Sequence, residues 1–272
     1  MRPEAARRLD ALPGDARVLD VGGWAAPIAR ADAVIDLLPF ETRGLYGSAD
    51  PDRERFTAES WTQADICGPD PWPYADGTFD VAVCSHTLED VRDPVFVCRE
   101  LARVARGGYV EVPAPIEELT HGVQGDWVGW SHHRWICERE TVAEEDGTPG
   151  GGSGYGFVFT HKPHLLPAAG RHLPPGTHLR VPEADRVIAW WWDGALPARE
   201  AIHVAAEGFD AWLHDLLAGC AAGAGVTVPG TGPGRPAADD SPDGRPAVGA
   251  AAARRAVGAV RRRARVWKDG RR

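Results

Sequence analysis

No stretch of this 272-residue chain approaches the roughly 20 consecutive apolar residues that cross a bilayer as a helix. The opening, MRPEAARRLDALPGD, has no apolar core of the kind found in a secretory leader. Cysteines are few and unpaired in sequence: Cys67, Cys84, Cys98, Cys137 and Cys220 are an odd count without a C-x-x-C pair. That argues against a disulfide framework. Cys84 and Cys98 fall in apolar stretches, where a reduced cysteine behaves as a small hydrophobe. A cytoplasmic protein is expected. Internal repeats and a G-x-G-x-x-G phosphate loop are also missing.

Positive charge is scarce over most of the chain. Residues 1–244 hold twenty Lys/Arg against thirty-eight Asp/Glu, whereas residues 245–272 hold ten Lys/Arg against one Asp. An acidic body offers no phosphate-neutralising surface, so nucleic acid is not an expected partner.

What is present is an α/β pattern. Residues 1–15 read as a short helix closed by Pro13 and Gly14. ARVLDVG and DAVIDLL are β-rich runs, and FDVAVCS (79–85) is a third. Residues 93–105 have helical spacing, with Val97, Leu101 and Val104 on one face, and Glu100 and Arg103 expected to point outward. Asp93 is placed to cap that helix and Pro94 suits its first position. Gly107 and Gly108 are expected to stop it before the strand YVEVP. Strand, helix and strand with short links mark a parallel sheet with crossover helices. Later, FVFTHK and RVIAWWW read as antiparallel strands, GFDAWLHDLLAGC as an amphipathic helix, and EEDGTPGGGSGYG as a flexible turn.

Ligands of open α/β sheets bind outside the carboxyl ends of the strands, at the point where strand order reverses. Gly22 and Gly23 end the first strand, Asp36 the second, Asp65 the third, and Ser85 and His86 the fourth. Glycine lets a ligand approach the backbone, and a carboxylate at the second strand end accepts hydrogen bonds from ribose hydroxyls. The acid falls 14 residues after Gly22, too soon for the usual NAD arrangement.

VLDVGG (18–23), VIDLL (34–38), ADI (64–66) and, above all, WPYADGTFDVAVCSHTLEDVRDPVFVCRELARVARGGYVEVP (72–113) carry a resemblance. Over about residues 14–115 the sequence resembles the class I S-adenosylmethionine-dependent methyltransferases of the type 11 domain family. The resemblance implies a Rossmann-like α/β fold: a mostly parallel central sheet, flanking helices and an antiparallel late strand pair. It implies S-adenosylmethionine as cofactor. Asp20 and Gly22 would frame the methionine moiety, with Gly23 also in the cofactor-binding loop, and Ser85 and His86 would line that side. Asp36 would bind the ribose diol, with Leu37 against the adenine. Asp65 would meet the adenine amino group, with Ile66 packed nearby. The sequence departs from the family between Gly22 and the second strand, where about ten residues leave no room for a full helix. Trp24 is expected to plug that gap. A non-catalytic binding or scaffold module with a degenerate cofactor loop is the alternative.

Residues 113–156 form an acceptor-side insert that gathers His121, His132, His133, Trp127, Trp130 and Trp135. His132 and His133 are the candidate catalytic residues, as general bases near neutral pH for a small-molecule acceptor, with a saccharide or specialised metabolite in view. The tryptophans would form an apolar or sugar-stacking wall. His121, His132, His133 and Cys137 have zinc-ligand chemistry, but adjacent histidines seldom share one ion and no cysteine knuckle supports them. No metal is expected. The domain is assigned to residues 1–222. Residues 223–272 read as a Pro/Gly-rich linker and a basic tail, disordered, and capable of weak peripheral contact with an anionic membrane.

Overall fold

The computed structural model describes residues 1–142 and 154–227. Residues 144–153 of the expected EEDGTPGGGSGYG turn lie outside the described residues, as do nearly all of the linker and the whole basic tail, whereas its Tyr155 and Gly156 belong to a strand. Among the described residues no helix is long and apolar enough to cross a membrane.

The chain opens with α1 (Pro3–Asp10), β1 (Val18–Val21), β2 (Ala33–Asp36), β3 (Trp61–Gln63) and β4 (Phe79–Ser85). It continues with α2 (Pro94–Val104), β5 (Ala105–Pro113), α3 (Pro115–Leu119), β6 (Trp135–Thr141) and β7 (Tyr155–His161). It closes with β8 (Val187–Asp193), β9 (Ala198–Ala201) and α4 (Ala206–Ala224). The main sheet runs β3-β2-β1-β4-β5-β8, with β1 to β5 parallel and β8 antiparallel against β5. A second sheet, β6-β7-β9, pairs β6 with β7 antiparallel and β7 with β9 parallel. The expected late strands FVFTHK and RVIAWWW are therefore β7 and β8, each antiparallel to a neighbour but in different sheets.

Alternation along the strands sorts the core into two faces. Leu19 and Val21 of β1, Ala82 and Cys84 of β4, and Val110 and Val112 of β5 pack with Val97, Cys98, Leu101 and Val104 of α2. Phe157 and Phe159 of the second sheet join the same cluster. Val18, Val34, Val83 and Tyr109 pack instead with Ala5 and Leu9 of α1. A third cluster joins Leu119 of α3, Ile136 of β6 and Leu213 and Leu217 of α4. Asp93 caps α2, its Oδ1 accepting from the Phe96 N–H at 2.9 Å.

Two local expectations are corrected. Glu100 does not point outward: it is buried, accepts from the Trp72 N–H at 2.7 Å and pairs with Arg103, which also reaches Asp76. The two side chains clip the 72–76 turn onto α2. Nor do Gly107 and Gly108 end the helix in a loop, because β5 starts at Ala105 and runs through both. Gly108 serves close strand approach: a Cβ there would lie 1.9 Å from the Ala82 carbonyl oxygen.

The main sheet positions the site. β1 has β2 on one side and β4 on the other, so strand order reverses between β1 and β4. The loops after β1, β2, β3 and β4 all emerge at that end.

Candidate functional site

The β1–β2 connection contains no helix, as its length requires. Two carboxylates hold it instead. Asp20 accepts from the Ile28 N–H at 2.9 Å, and Asp36 accepts from the Trp24 N–H at 3.0 Å and the Leu38 N–H at 2.8 Å. Gly22 has φ +76°, and a Cβ there would meet the Thr87 hydroxyl at 2.3 Å. Glycine at 22 thus lets the loops after β1 and β4 touch. Trp24 fills part of the missing helix's volume and also borders the cavity beside it, its ring N–H donating to Thr42.

That cavity, of about 530 Å³, opens over the strand ends and is walled by Gly22, Trp24, Asp36, Leu37, Asp65, Ile66, His86, Thr87 and Arg92, among others. Six of the residues expected at a cofactor site, Gly22, Asp36, Leu37, Asp65, Ile66 and His86, therefore share one wall. Asp20, Gly23 and Ser85 do not line it. Asp20 is buried beneath the loop, where a Cβ on Gly23 would strike its carboxylate. Ser85 donates to Glu111. Burial pushes the Asp20 carboxyl up to about 7, against the opposing pull of the Ile28 N–H. Burial likewise raises Asp36, against the backbone N–H groups it accepts.

The wall has the right chemistry for an adenosyl group. Both Asp36 oxygens accept backbone N–H groups, and a carboxylate has about four acceptor positions, so acceptor capacity remains for a hydroxyl. Leu37 is 62% exposed, an uncovered apolar surface beside Asp36. Asp65 accepts from the Cys67 N–H and pairs with Arg92 at 3.2 Å.

His86 stands where this cavity meets a second one. It is the single non-glycine residue with positive φ (52°) among the described residues, a conformation costing about 1–2 kcal/mol. Its ring lies 3.0 Å from Glu111 and 3.5 Å from Glu89. Burial opposes its protonation, but the two carboxylates prevail and raise its pKa to about 9.

The second cavity, of about 460 Å³, is lined by His86, Glu89, Asp90, Glu117, Trp130, His132, His133 and Arg186, among others. Ala25, His86, Asp90 and His132 border both cavities. His133 is nearly buried, its Nδ1 lying 2.6 Å from Glu118, which also accepts from Lys162 at 2.8 Å. Burial works against the charged ring, yet Glu118 raises His133 overall.

The expected tryptophan wall is partly assembled. Trp127 and Trp130 line a third cavity, of about 300 Å³, together with His133, and Trp130 also borders the second, whereas Trp135 is a core residue whose ring N–H donates to the Val91 carbonyl. The four residues with zinc-ligand chemistry are not assembled either. His121 packs against His172, and Cys137 lies in the core. Sequence reasoning did not single out Asp90, Arg92, Glu111 or Glu118. Asp90 and Arg92 sit in the polar run EDVRD right after the fourth strand, a readable signal. Glu111 sits in the apolar run YVEVP that reads as a buried strand, and Glu118 sits in the insert with no local mark to set it apart.

Comparison with known proteins adds to this geometry. Residues 48–111 match a family profile described as a methyltransferase domain. No curated protein matches the chain. Among solved structures, the [4+2]-cyclase SpnF is 23% identical, with 40% of this chain and 45% of that one covered at a TM-score of 0.31. An S-adenosylmethionine-dependent methyltransferase from Mesorhizobium loti is 23% identical, with 43% and 56% covered at 0.31. The N-terminal domain of EvdMO1, determined in the presence of SAH and D-fucose, is 18% identical, with 53% and 62% covered at 0.32. The aligned region spans about half the length of the first two. From the approach to β3 into β5, the segment that supplies Asp65, Ile66, His86 and Arg92 to the cavity wall, this chain carries the sequence signature of the methyltransferase-domain family.

Proposed function

We propose that the chain is an S-adenosylmethionine-dependent methyltransferase, with the cofactor in the cavity at the β1–β4 strand ends and a small-molecule acceptor in the adjoining one. One observation carries the reading: Asp36, Leu37, Asp65 and Ile66, from two different strand ends, line the same cavity. When bound, the cofactor supplies a methyl group already activated on a sulfonium.

The residues of the chain do the rest. Asp36 takes a ribose hydroxyl with its remaining acceptor capacity. Leu37 and Ile66 cover the faces of the adenine, and Asp65 accepts from its amino group. His86, its two ring nitrogens held by Glu111 and Glu89, closes the cavity on the side where the cofactor's methionine moiety would lie. Asp20 and Gly23 act from behind the wall by fixing the loop, and Ser85 acts through Glu111. Methyl transfer from a sulfonium needs mainly alignment and exclusion of water. His132, bordering both cavities, takes the acceptor's proton, while His133 is held by Glu118 as a positioning group.

Calorimetry with S-adenosylhomocysteine tests the reading. One site per chain is expected, and Asp36→Ala is expected to weaken it by about 10- to 100-fold, the scale of losing charged hydrogen bonds. No heat with millimolar ligand overturns the reading and favours a non-catalytic module. An unchanged affinity in the variant removes Asp36 from the ribose site.

A further inference from the structure

Between the two cavities, three side chains present donor atoms to one another without bonding. Nε2 of His132 is 4.0 Å from one Asp90 oxygen, and Nε2 of His133 is 4.0 Å from the other. All three donors lie within 4.8 Å of one another. That spacing is too long for hydrogen bonds. It is close to the separation of neighbouring ligands around a shared ion, roughly 3–4 Å when metal–nitrogen and metal–oxygen bonds are about 2.0–2.2 Å. The adjacent histidines, unpromising in sequence, reach one point because their rings cross at 79° with centroids 4.5 Å apart.

Two further observations single this cluster out. The first is the anchoring of His133. Its Nδ1 faces Glu118 at 2.6 Å, and Glu118 is buried and held by Lys162. An Nδ1–H donated to a carboxylate fixes the tautomer and leaves the Nε2 lone pair directed at Asp90, the usual support of a metal-bound imidazole. The second is an unsatisfied acceptor. Asp90 Oδ1 is buried without a hydrogen-bond partner, beside Glu89, which is 1% exposed and faces His86 at 3.5 Å. Buried carboxylate oxygens without partners are costly. Lys162 is committed to Glu118, and His86 is shared between Glu111 through Nε2 and Glu89 through Nδ1, which leaves Asp90 to the two imidazoles facing it.

We propose that Asp90, His132 and His133 bind one divalent transition-metal ion at the boundary between the two cavities. Two imidazoles and one carboxylate suit zinc, cobalt, manganese or ferrous iron rather than magnesium or calcium, which prefer all-oxygen sites. Three protein ligands leave positions open, the pattern of a site that takes substrate rather than one that staples a fold. Asp90 and His132 border both cavities, so an acceptor hydroxyl can reach the ion.

The binding site stands apart from the methyl-transfer reading; its catalytic use rests on that reading. With the ion present, His132 is a ligand and the ion replaces it in activating the acceptor. The coordinated O–H loses its proton to solvent. The oxygen then forms a bond to the sulfonium methyl, and the sulfur keeps the electron pair of the broken S–C bond, leaving a neutral thioether.

Tag-free, chelator-treated full-length protein is titrated with Co(II) and Zn(II), followed by calorimetry and, for cobalt, visible absorption. One ion per chain is expected, with the cobalt bands of imidazole–carboxylate coordination. His132→Ala and the near-isosteric Asp90→Asn are expected to weaken binding at least 10-fold, and His121→Ala to leave it unchanged. Magnesium is expected not to compete. Absence of binding overturns the proposal. So does binding that persists in both His132→Ala and Asp90→Asn, which marks an adventitious ion only. His132 is 55% exposed, and melting curves of each variant verify folding. A parallel S-adenosylhomocysteine titration of the wild type separates the two ideas: nucleoside binding without metal removes only the ion, and metal binding without nucleoside removes only the cofactor reading.

Discussion

Asp20 shows how a single buried carboxyl governs the loop that walls the cavity. Its pKa, about 7 in the folded chain, is well above the ordinary 3.8 because burial penalises the charge and Asp36 adds repulsion. The Ile28 N–H and the terminal ammonium pull the other way and lose. The folded state therefore holds a proton that the unfolded chain gives up earlier. Stability from this group is full below the ordinary value and is lost as pH rises to the folded one. Asp20→Asn keeps an acceptor for Ile28 and removes the titration. Urea unfolding between about pH 4 and pH 8 is expected to show a flatter profile in the variant, and greater stability above about pH 7, by up to a few kcal/mol. At this scale the sequence was legible where chemistry sits at a strand end. Asp36 was read from the end of the second apolar run, with Leu37 beside it taken from the family resemblance, and both line the cavity. Glu118 was not, because its meaning comes from Lys162 and His133, 44 and 15 residues away, and nothing local marks that meeting.

At the scale of elements, the missing crossover helix between β1 and β2 is the main departure from the pattern, and its absence followed from chain length alone. What replaces it was less visible. Two strand-end carboxylates pin the loop, and Gly22 passes beneath Thr87. Gly22→Ala places a Cβ against the Thr87 side chain at positive φ, costing on the order of 1–3 kcal/mol. Thermal denaturation is expected to show a fall of several degrees. The misread start of β5 has a similar origin. Gly107 and Gly108 look like a stop signal, but strand pairing with β4 and β8 overrides local propensity there.

The fold class was legible because strand, capped helix and strand recur in order, and each apolar run met a face to bury. The second sheet was harder to foresee, since β6, β7 and β9 come from separated segments and pair only through tertiary contact. The two cavities share a border of four residues, so they are read as one working volume with two rooms. Ala25 is the small one among the four, and it is exposed. Ala25→Phe is expected to leave the melting temperature within about a degree, as surface changes do. The same change is expected to weaken S-adenosylhomocysteine about 10-fold or more by calorimetry; an unaltered affinity places the nucleoside elsewhere.

Lys162, just past the end of β7, is the far anchor of the chain of contacts through Glu118 to His133. The small sheet is thus mechanically in series with the imidazole. A partner that takes hold of His133 from the second cavity therefore meets a ring whose other side is tied, through one carboxylate, to the outer sheet.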